Sequence, residues 1–394
     1  MKAVKFKEYS LTKIIYFFKL YYSRMLKAYK YRVYPNKDQK RLIKVHFGAC
    51  RFVYNWALEQ KIKTYEQYNK SISRFDLQRI LVHEVKPANE WLKEANSQSL
   101  LACLVNVESA FTRFFREKKG FPRFKSKKNP VQSYQMPQHY TVDFEKSLVK
   151  LPKIGEVKAI LHRRFEGTLK TATISKTCTG KYYLSILVED GKELPVKQEF
   201  SESTTVGIDV GIKDFAVLST GEKVENPKYL KNSLIRLKVL QKRVSRKVKG
   251  SKNREKAKLL LSKLHEKISN QRNDFQHKLS SKLISENQAI ALETLNKGMQ
   301  KNHCLAQALI DSAWSSFVTK LEYKADWFGK TILRIGRFEP SSKLCSVCGY
   351  YNSNLTLDAR EWECPDCKTK HDRDINAAIN IKKFSLQDQN LIVI

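Results

Sequence analysis

Two Cys-x-x-Cys pairs near the C-terminus constrain this chain more than any other feature. Cys345 and Cys348 are followed, after fifteen intervening residues, by Cys364 and Cys367. This two-by-two spacing is that of a zinc ribbon, in which four thiolates converge on one tetrahedral ion. A redox motif would need only one pair. Iron also accepts four thiolates, as in a rubredoxin-like site, but zinc (Zn2+) is the expected occupant. Four protein ligands leave no open coordination position, so the ion is expected to be structural. The main apolar residues between the pairs are Leu355, Leu357 and Trp362, too few to fold the segment without metal. Three residues beyond the second pair comes the acidic string HDRD, ending at Asp374.

That acidic string stands out because the chain is otherwise basic. It has 394 residues, 74 Lys and Arg against 39 Asp and Glu, and a formal net charge of +35. Such a surplus repels itself unless a polyanion neutralises it; nucleic acid is the commonest partner and anionic membrane the second. No run approaches the roughly 18 apolar residues of a membrane span. The stretch IIYFFKLYY is too short, is broken by Lys19 and lacks a cleavage-site pattern. A cytoplasmic protein with no membrane partner is therefore expected. Cys50, Cys103, Cys178 and Cys304 stand singly among apolar residues, which fits reduced core thiols rather than a disulfide framework.

Residues 1–24 look unlike the rest of the chain and read as an N-terminal extension. MLKAYKYRVYPN, opening at Met25, alternates like a strand and stops at Pro35. Leu42, Ile43, Phe47, Phe52, Val53 and Trp56 recur at helical spacing, and a second helical block covers about 75–118. FPRFKSKKNPVQSYQMP is basic, aromatic and Pro-broken, hence a loop or irregular strand. Short alternating segments from about 140 to 190 predict a small β-barrel whose strands come from both sides of the helical block. A linker near DGKELPVKQEFSES precedes the next domain.

TTVGIDVGIKDFAVLSTG predicts a β-hairpin with Val206, Ile208 and Val210 on one face and Gly207, Asp209 and Gly211 on the other. An aspartate between glycines in mid-strand is poor strand chemistry, unless the glycines let a bulky ligand approach the carboxylate. Some 84 residues on, an apolar run ends at Glu293, and Ile375, Ala378 and Ile379 mark a helix starting near Asp374. Two strand carboxylates plus one from a later helix form the arrangement of RNase H-like nucleases. Hydrolysing a phosphodiester in line calls for ions at both the attacking and leaving oxygens, and magnesium (Mg2+) suits a carboxylate cluster. Between the first two carboxylates, ten of the residues from 238 to 258 are basic, expected as one helix that tracks phosphates. A solvated face is the bland alternative.

Jointly, YRVYPNKDQ, FGACRFVYNWAL, FPRFKSK, GIDVGIKDFAVLSTG, ISNQRNDFQHKLS, LETLNKGM, EPSSKLCSVCG and HDRDINAAINI are specific. From Met25 to about Lys383 the chain resembles the TnpB (OrfB-type) proteins of bacterial insertion sequences, which are similar to type V CRISPR nucleases. The resemblance implies an α+β multidomain fold: a helical block plus a small wedge-like β-barrel, then an RNase H-like (RuvC) α/β nuclease domain with an inserted zinc ribbon. The implied boundaries are 25–40 and 121–200 for the barrel, 41–120 for helical nucleic-acid recognition, 201–340 and 371–394 for the nuclease domain, and 341–370 for the ribbon. It implies an RNA-guided DNA endonuclease with a guide RNA from the transposon end and a DNA target; a transposition accessory, a strand-transfer protein and an inactive nucleic-acid-binding regulator are the alternatives. Asp209, Glu293 and Asp374 are the implied magnesium-binding catalytic carboxylates, with Asp374 preferred over Asp372. Expected nucleic-acid contacts are Lys242, Arg243, Arg246, Lys247 and Lys249 in the basic run, with Arg272, Arg123, Lys125 and Arg51 in the quoted motifs. Lys368 stands where a glycine often follows the second cysteine pair, and the loop after Glu293 is one residue shorter than usual.

Overall fold

The structure, a computed structural model, describes residues 24–294, 303–336, 339–356 and 358–389. The expected N-terminal extension up to residue 23, Leu357 and the loop LNKGM lie outside the described residues. The chain divides into two compact units, 1–193 and 194–394. Among the described residues, no helix is long and apolar enough to cross a membrane.

In the first unit, strand β1 (Arg24–Tyr34) passes directly into helix α1 (Lys37–Tyr68). Pro35 blocks strand continuation, and Asn36 with Gln39 forms a reciprocal capping box: each side chain accepts the other's backbone N–H, at 2.9 and 3.0 Å. The short α2 (Arg74–Ile80) and a series of tight helical turns lead to α3 (Ser97–Glu117), capped by Asn96. Six strands come next: β2 (Gln132–Met136), β3 (Thr141–Asp143), β4 (Leu148–Leu151), β5 (Gly155–Ile160), β6 (Thr168–Lys176) and β7 (Tyr182–Glu193). The sheet order is β2-β6-β7-β1-β5-β4-β3, antiparallel throughout. The strand ahead of the helices thus sits at the centre of a sheet built mostly after them. One continuous core, including Tyr31, Ile43, Leu58, Leu104, Met136 and Ile186, joins helices to sheet. Cys50 and Cys103 are buried as expected, whereas Cys178 is exposed in the turn between β6 and β7. That turn carries no apolar periodicity to pull a thiol inward.

The second unit is built on a five-stranded sheet. Its strands are β8 (Thr205–Asp209), β9 (Asp214–Leu218), β10 (Lys223–Glu225), β11 (Ala289–Glu293) and β12 (Thr331–Ile335), in the order β10-β9-β8-β11-β12. β8, β11 and β12 run parallel, with β9 and β10 added antiparallel. Parallel strands are covered on both faces, which is why TVGID and AIALE bury nearly every side chain. Helices α4 (Tyr229–Ser245) and α5 (Lys252–Glu286) form a hairpin between β10 and β11, and α6 (His303–Ser312) and α7 (Trp314–Phe328) come after β11. The last helix, α8 (Arg373–Gln387), crosses β8. The expected single basic helix over 238–258 is thereby corrected. The chain breaks at 246–251, where Gly250 takes φ +86° and Ser251 caps α5 by accepting the Arg254 N–H.

The glycines beside Asp209 also have a different reason from the one expected. A Cβ at Gly207 would stand 2.1 Å from the Ala378 carbonyl oxygen and 2.8 Å from Lys382. The space belongs to α8, not to a ligand. At Gly211 a Cβ would meet the Asp214 carbonyl at 2.8 Å, inside the hairpin turn. These close approaches let α8 lie against β8 and bring its N-terminal carboxylate toward the strand ends.

Candidate active site and metal centre

The ribbon is held by two matching knuckles. In the first, the Gly349 N–H donates to the Cys345 carbonyl and the Cys345 N–H to Tyr350 O; in the second, the Lys368 N–H donates to the Cys364 carbonyl and the Cys364 N–H to Thr369 O. Gly349 and Lys368 occupy the same turn position, with φ +78° and +59°. A short hairpin of β13 (Glu361–Glu363) and β14 (Lys370–Asp372) carries the second knuckle. The four sulfur atoms lie within 4.8 Å of one another, with Cys345–Cys367 at 3.6 Å and Cys348–Cys364 at 3.5 Å. A tetrahedral zinc with bonds of about 2.3 Å would set its sulfurs roughly 3.8 Å apart. The donor set and its spacing therefore fit such an ion. His371 Nε2 lies 3.0 Å from Cys345 Sγ, and the Trp362 ring packs on His371.

The ribbon is tied to α8 by side chains that periodicity alone does not single out. Asn376 accepts the Ser346 N–H at 2.9 Å and donates to Leu344 O at 2.7 Å. Asn380 donates to Leu344 O and Ser341 O, and Lys383 to Ser346 O. Both asparagines are buried. A signal existed: two asparagines four apart within the apolar stretch INAAINI are poor helix formers that need polar partners. Between them, Ala377 and Ala378 keep the helix surface small where it meets Gly207.

The acidic residues lie at the carboxyl ends of neighbouring parallel strands and at the start of α8. Leu292 pairs in register with Ile208, so Glu293 and Asp209 end adjacent strands side by side. This edge of an open α/β sheet is where such folds bind ligands. Burial pushes the Asp209 carboxyl up to about 7, helped by the nearby charges of Asp374 and Glu293 and opposed by Arg373. Burial also raises Glu293. Asp374 Oδ2 accepts from Arg360 Nη1 at 3.1 Å, and its Oδ1 from Arg373 Nη2 at 3.0 Å. Asp372 has other work. It caps α8 by accepting the Asp374 and Ile375 N–H groups, and it pairs with Lys223 at 2.5 Å. Beside Arg360 a cleft of about 600 Å3 is lined by Lys213, Lys228 and Lys231.

The expected nucleic-acid contacts fall into two groups. Lys242, Arg243, Arg246, Lys247 and Lys249 are exposed at the tip of the α4–α5 hairpin. Arg123 and Lys125 are exposed in the loop before β2, with the Lys125 ammonium 4.1 Å from the Tyr54 ring centre. Arg51 is half-buried and donates to Gln132 at 3.2 Å. Arg272 is different: its side chain is 21% exposed and pairs with buried Asp311 at 3.4 Å. Asp311 accepts the Leu230 and Lys231 N–H groups, capping an α4 that has no side-chain cap of its own. Arg272 neutralises that cap, a structural partner that sets it apart from the other expected contacts.

A mixed sheet with acidic strand ends, crossed by a C-terminal helix and carrying a four-cysteine ribbon, defines an RNase H-like α/β unit with a ribbon insertion. A sequence profile described as "Probable transposase" matches residues 185–303, a "Cas12f1-like, TNB domain" matches 314–381, and a "Helix-turn-helix domain" matches 25–70. A curated "Putative RNA-guided DNA endonuclease" of Streptomyces pristinaespiralis is 38% identical over 361 residues, covering 90% of this chain and 88% of the relative. The similarly named InsQ of Escherichia coli K12 is 32% identical, covering 91% and 92%. The chain belongs to the TnpB (OrfB-type) family. A solved structure of Cas12f1 with sgRNA and target DNA shares the fold, with a TM-score of 0.59 at 14% identity, over 91% of this chain and 99% of that one.

Proposed function

We propose that this protein is an RNA-guided DNA endonuclease that hydrolyses phosphodiesters with divalent metal at Asp209, Glu293 and Asp374. Its partners are a guide RNA from the transposon end and the DNA that the guide selects. The observation that carries the reading is a sheet edge where buried Asp209 stands beside the charges of Asp374 and Glu293; burial first, and those charges second, lift its carboxyl to about 7. Such a cluster is unfavourable by itself and is relieved by a hard cation; the three carboxylates would hold magnesium. Magnesium, when bound, supplies charge stabilisation at the attacking and leaving oxygens. Arg360 and Arg373 pair with Asp374 and balance its charge. The lysines of the adjoining cleft suit the phosphates flanking a scissile bond. In this reading the cysteines hold zinc structurally, and the asparagines of α8 couple that rigidity to Asp374.

Asp209→Asn tests the assignment. It removes a charge from the metal site but few phosphate contacts, so guided DNA cleavage should fall by at least about a thousandfold while RNA and DNA binding persist. Cleavage at the wild-type rate would refute the site.

A further inference from the structure

A second feature lies in the first unit, far in sequence from the carboxylates. Helix α3 ends in FTRFFRE, and Lys118 takes φ +50°, turning the chain back. Phe121 then packs edge-on against Phe111 and Phe114, at ring-centre distances of 5.6 and 5.3 Å. With Phe115, these rings wall a pocket of about 550 Å3 between α1 and α3. Polar residues also line it, Glu66, Ser71, Thr112 and Arg116 among them, and Lys61 and Glu108 form an ion pair within it. Lys61 is 7% exposed, donates to Ile72 O at 2.7 Å, and stands 3.5 Å from Glu108 Oε2. The Glu108 side chain is 50% exposed.

A satellite core would bury its rings, yet Phe115 is 72% and Phe121 48% exposed. The surroundings are also unlike a protein-docking patch. From Arg113 to Lys128 there are eight basic residues and one acidic residue. Aromatic faces interleaved with cations suit unpaired nucleobases, which stack on the rings while the cations meet the backbone. The Lys61–Glu108 pair, which lies beside the rings Phe111 and Phe115, narrows the choice. Only guanine presents two adjacent N–H donors on its Watson–Crick edge, which match the two oxygens of a carboxylate, next to an acceptor that suits an ammonium.

We propose that this pocket holds one unpaired guanine of a single-stranded nucleic acid, stacked on Phe115 and Phe121 and read by Glu108 and Lys61. The proposal rests on the reading that the protein binds nucleic acid, but it concerns a different surface from the cleavage site.

The test uses the full chain and short uridine tracts carrying one central guanine, adenine or inosine, in ribo and deoxyribo forms. Binding is followed by fluorescence anisotropy across a salt series. The guanine tract should bind roughly tenfold more tightly than the adenine tract, with inosine, which lacks the 2-amino donor, between them. Glu108→Gln should erase that preference. Phe115→Leu, at an exposed position that leaves folding intact, should weaken guanine-tract binding about tenfold at the same salt slope, because stacking releases no counterions. A preference in either sugar form supports the site, and the larger one names the strand. Equal binding of guanine and adenine tracts, or a Phe115→Leu variant that binds as wild type, overturns the pocket. Failure of every tract to bind overturns the nucleic-acid reading instead, so the two failures are distinct.

Discussion

Among the described residues the second unit carries one compact group of potential metal ligands, the four cysteines, and a looser set of carboxylates at one sheet edge, and the two are assembled in opposite ways. The four cysteines lie within 23 residues of sequence, on two knuckles whose backbone hydrogen bonds form locally. Asp209, Glu293 and Asp374 are separated by about eighty residues in each interval and reach the same sheet edge only when β8, β11 and α8 are all in place. In the function proposed above, the ribbon needs its ion to fold. The carboxylate edge is folded by its hydrophobic sheet, and burial together with the charges of Asp374 and Glu293 raises the Asp209 carboxyl. On that proposal metal is part of the fold at one centre and part of the chemistry at the other.

The sharpest way to break this contrast is to remove one ligand from each. Cys364→Ser should release zinc and unfold the ribbon, a loss on the order of 10 kcal/mol of metal-linked folding energy. Elemental analysis should find about one zinc per chain in the wild type and none in the variant. Because Asn376, Asn380 and Lys383 bind the first knuckle, α8 should loosen, and cleavage should drop even with magnesium in excess. Hydrogen exchange should show faster exchange along α8. Asp209→Asn, by contrast, should leave zinc content and α8 exchange as in the wild type. If Cys364→Ser loses zinc but cleaves normally, the coupling through the asparagines is wrong.

The same contrast explains how legible each centre was in the sequence. The cysteine spacing is local, and it predicted the cluster from the residues alone. The strand and helix positions of the carboxylates were legible as patterns, but their meeting depends on a parallel register that no local spacing encodes. What escaped was tertiary. The glycines flanking Asp209 looked like room for a ligand because strand periodicity says nothing of a helix arriving from residue 373 onward. Arg272 looked like its basic neighbours because a cap supplied by Asp311, on another helix, leaves no mark near it. The hairpin break at Gly250 was visible as a residue but was masked by the unbroken charge run around it.

A smaller effect separates the centres by pH. Asp209 ordinarily titrates near 3.8 and here near 7. Without metal, the folded chain holds that proton more tightly than the unfolded chain between those values. Its contribution to stability is therefore largest below about pH 4 and is lost as pH rises toward 7. Magnesium must displace the proton, so its apparent affinity should climb up to tenfold per pH unit and level off above about pH 7. Isothermal titration from pH 5.5 to 8 measures this. A flat profile would mean that Asp209 does not meet the ion. Zinc retention over the same range should change little.

The tip and the interior of the α4–α5 hairpin offer a comparison of similar size. Replacing Lys242, Lys247 and Lys249 with glutamine should flatten the slope of log affinity against log salt by nearly one unit per lost duplex contact. Arg272→Met should leave that slope alone and instead lower the melting temperature, because it leaves Asp311 buried and without its guanidinium. A slope change in Arg272→Met would return that residue to the phosphate-contacting group.

The smallest effect lies within the ribbon, where the two knuckles differ by one residue type. Gly349 and Lys368 hold the same left-handed turn, but only glycine adopts it without a Cβ penalty. A Cβ at Gly349 would meet nothing within 4 Å, so Gly349→Ala should cost only the backbone strain, about 1 kcal/mol. Lys368→Gly should relieve similar strain in the second knuckle. Against that stand the added freedom of glycine in the unfolded chain and the loss of the bond from Lys368 Nζ to Pro365 O. The net gain should be roughly 0.5 kcal/mol, about a twofold tightening of zinc binding in a chelator competition. A twofold weakening in place of the gain would show that the lysine bond, not the turn, sets the stability of that knuckle.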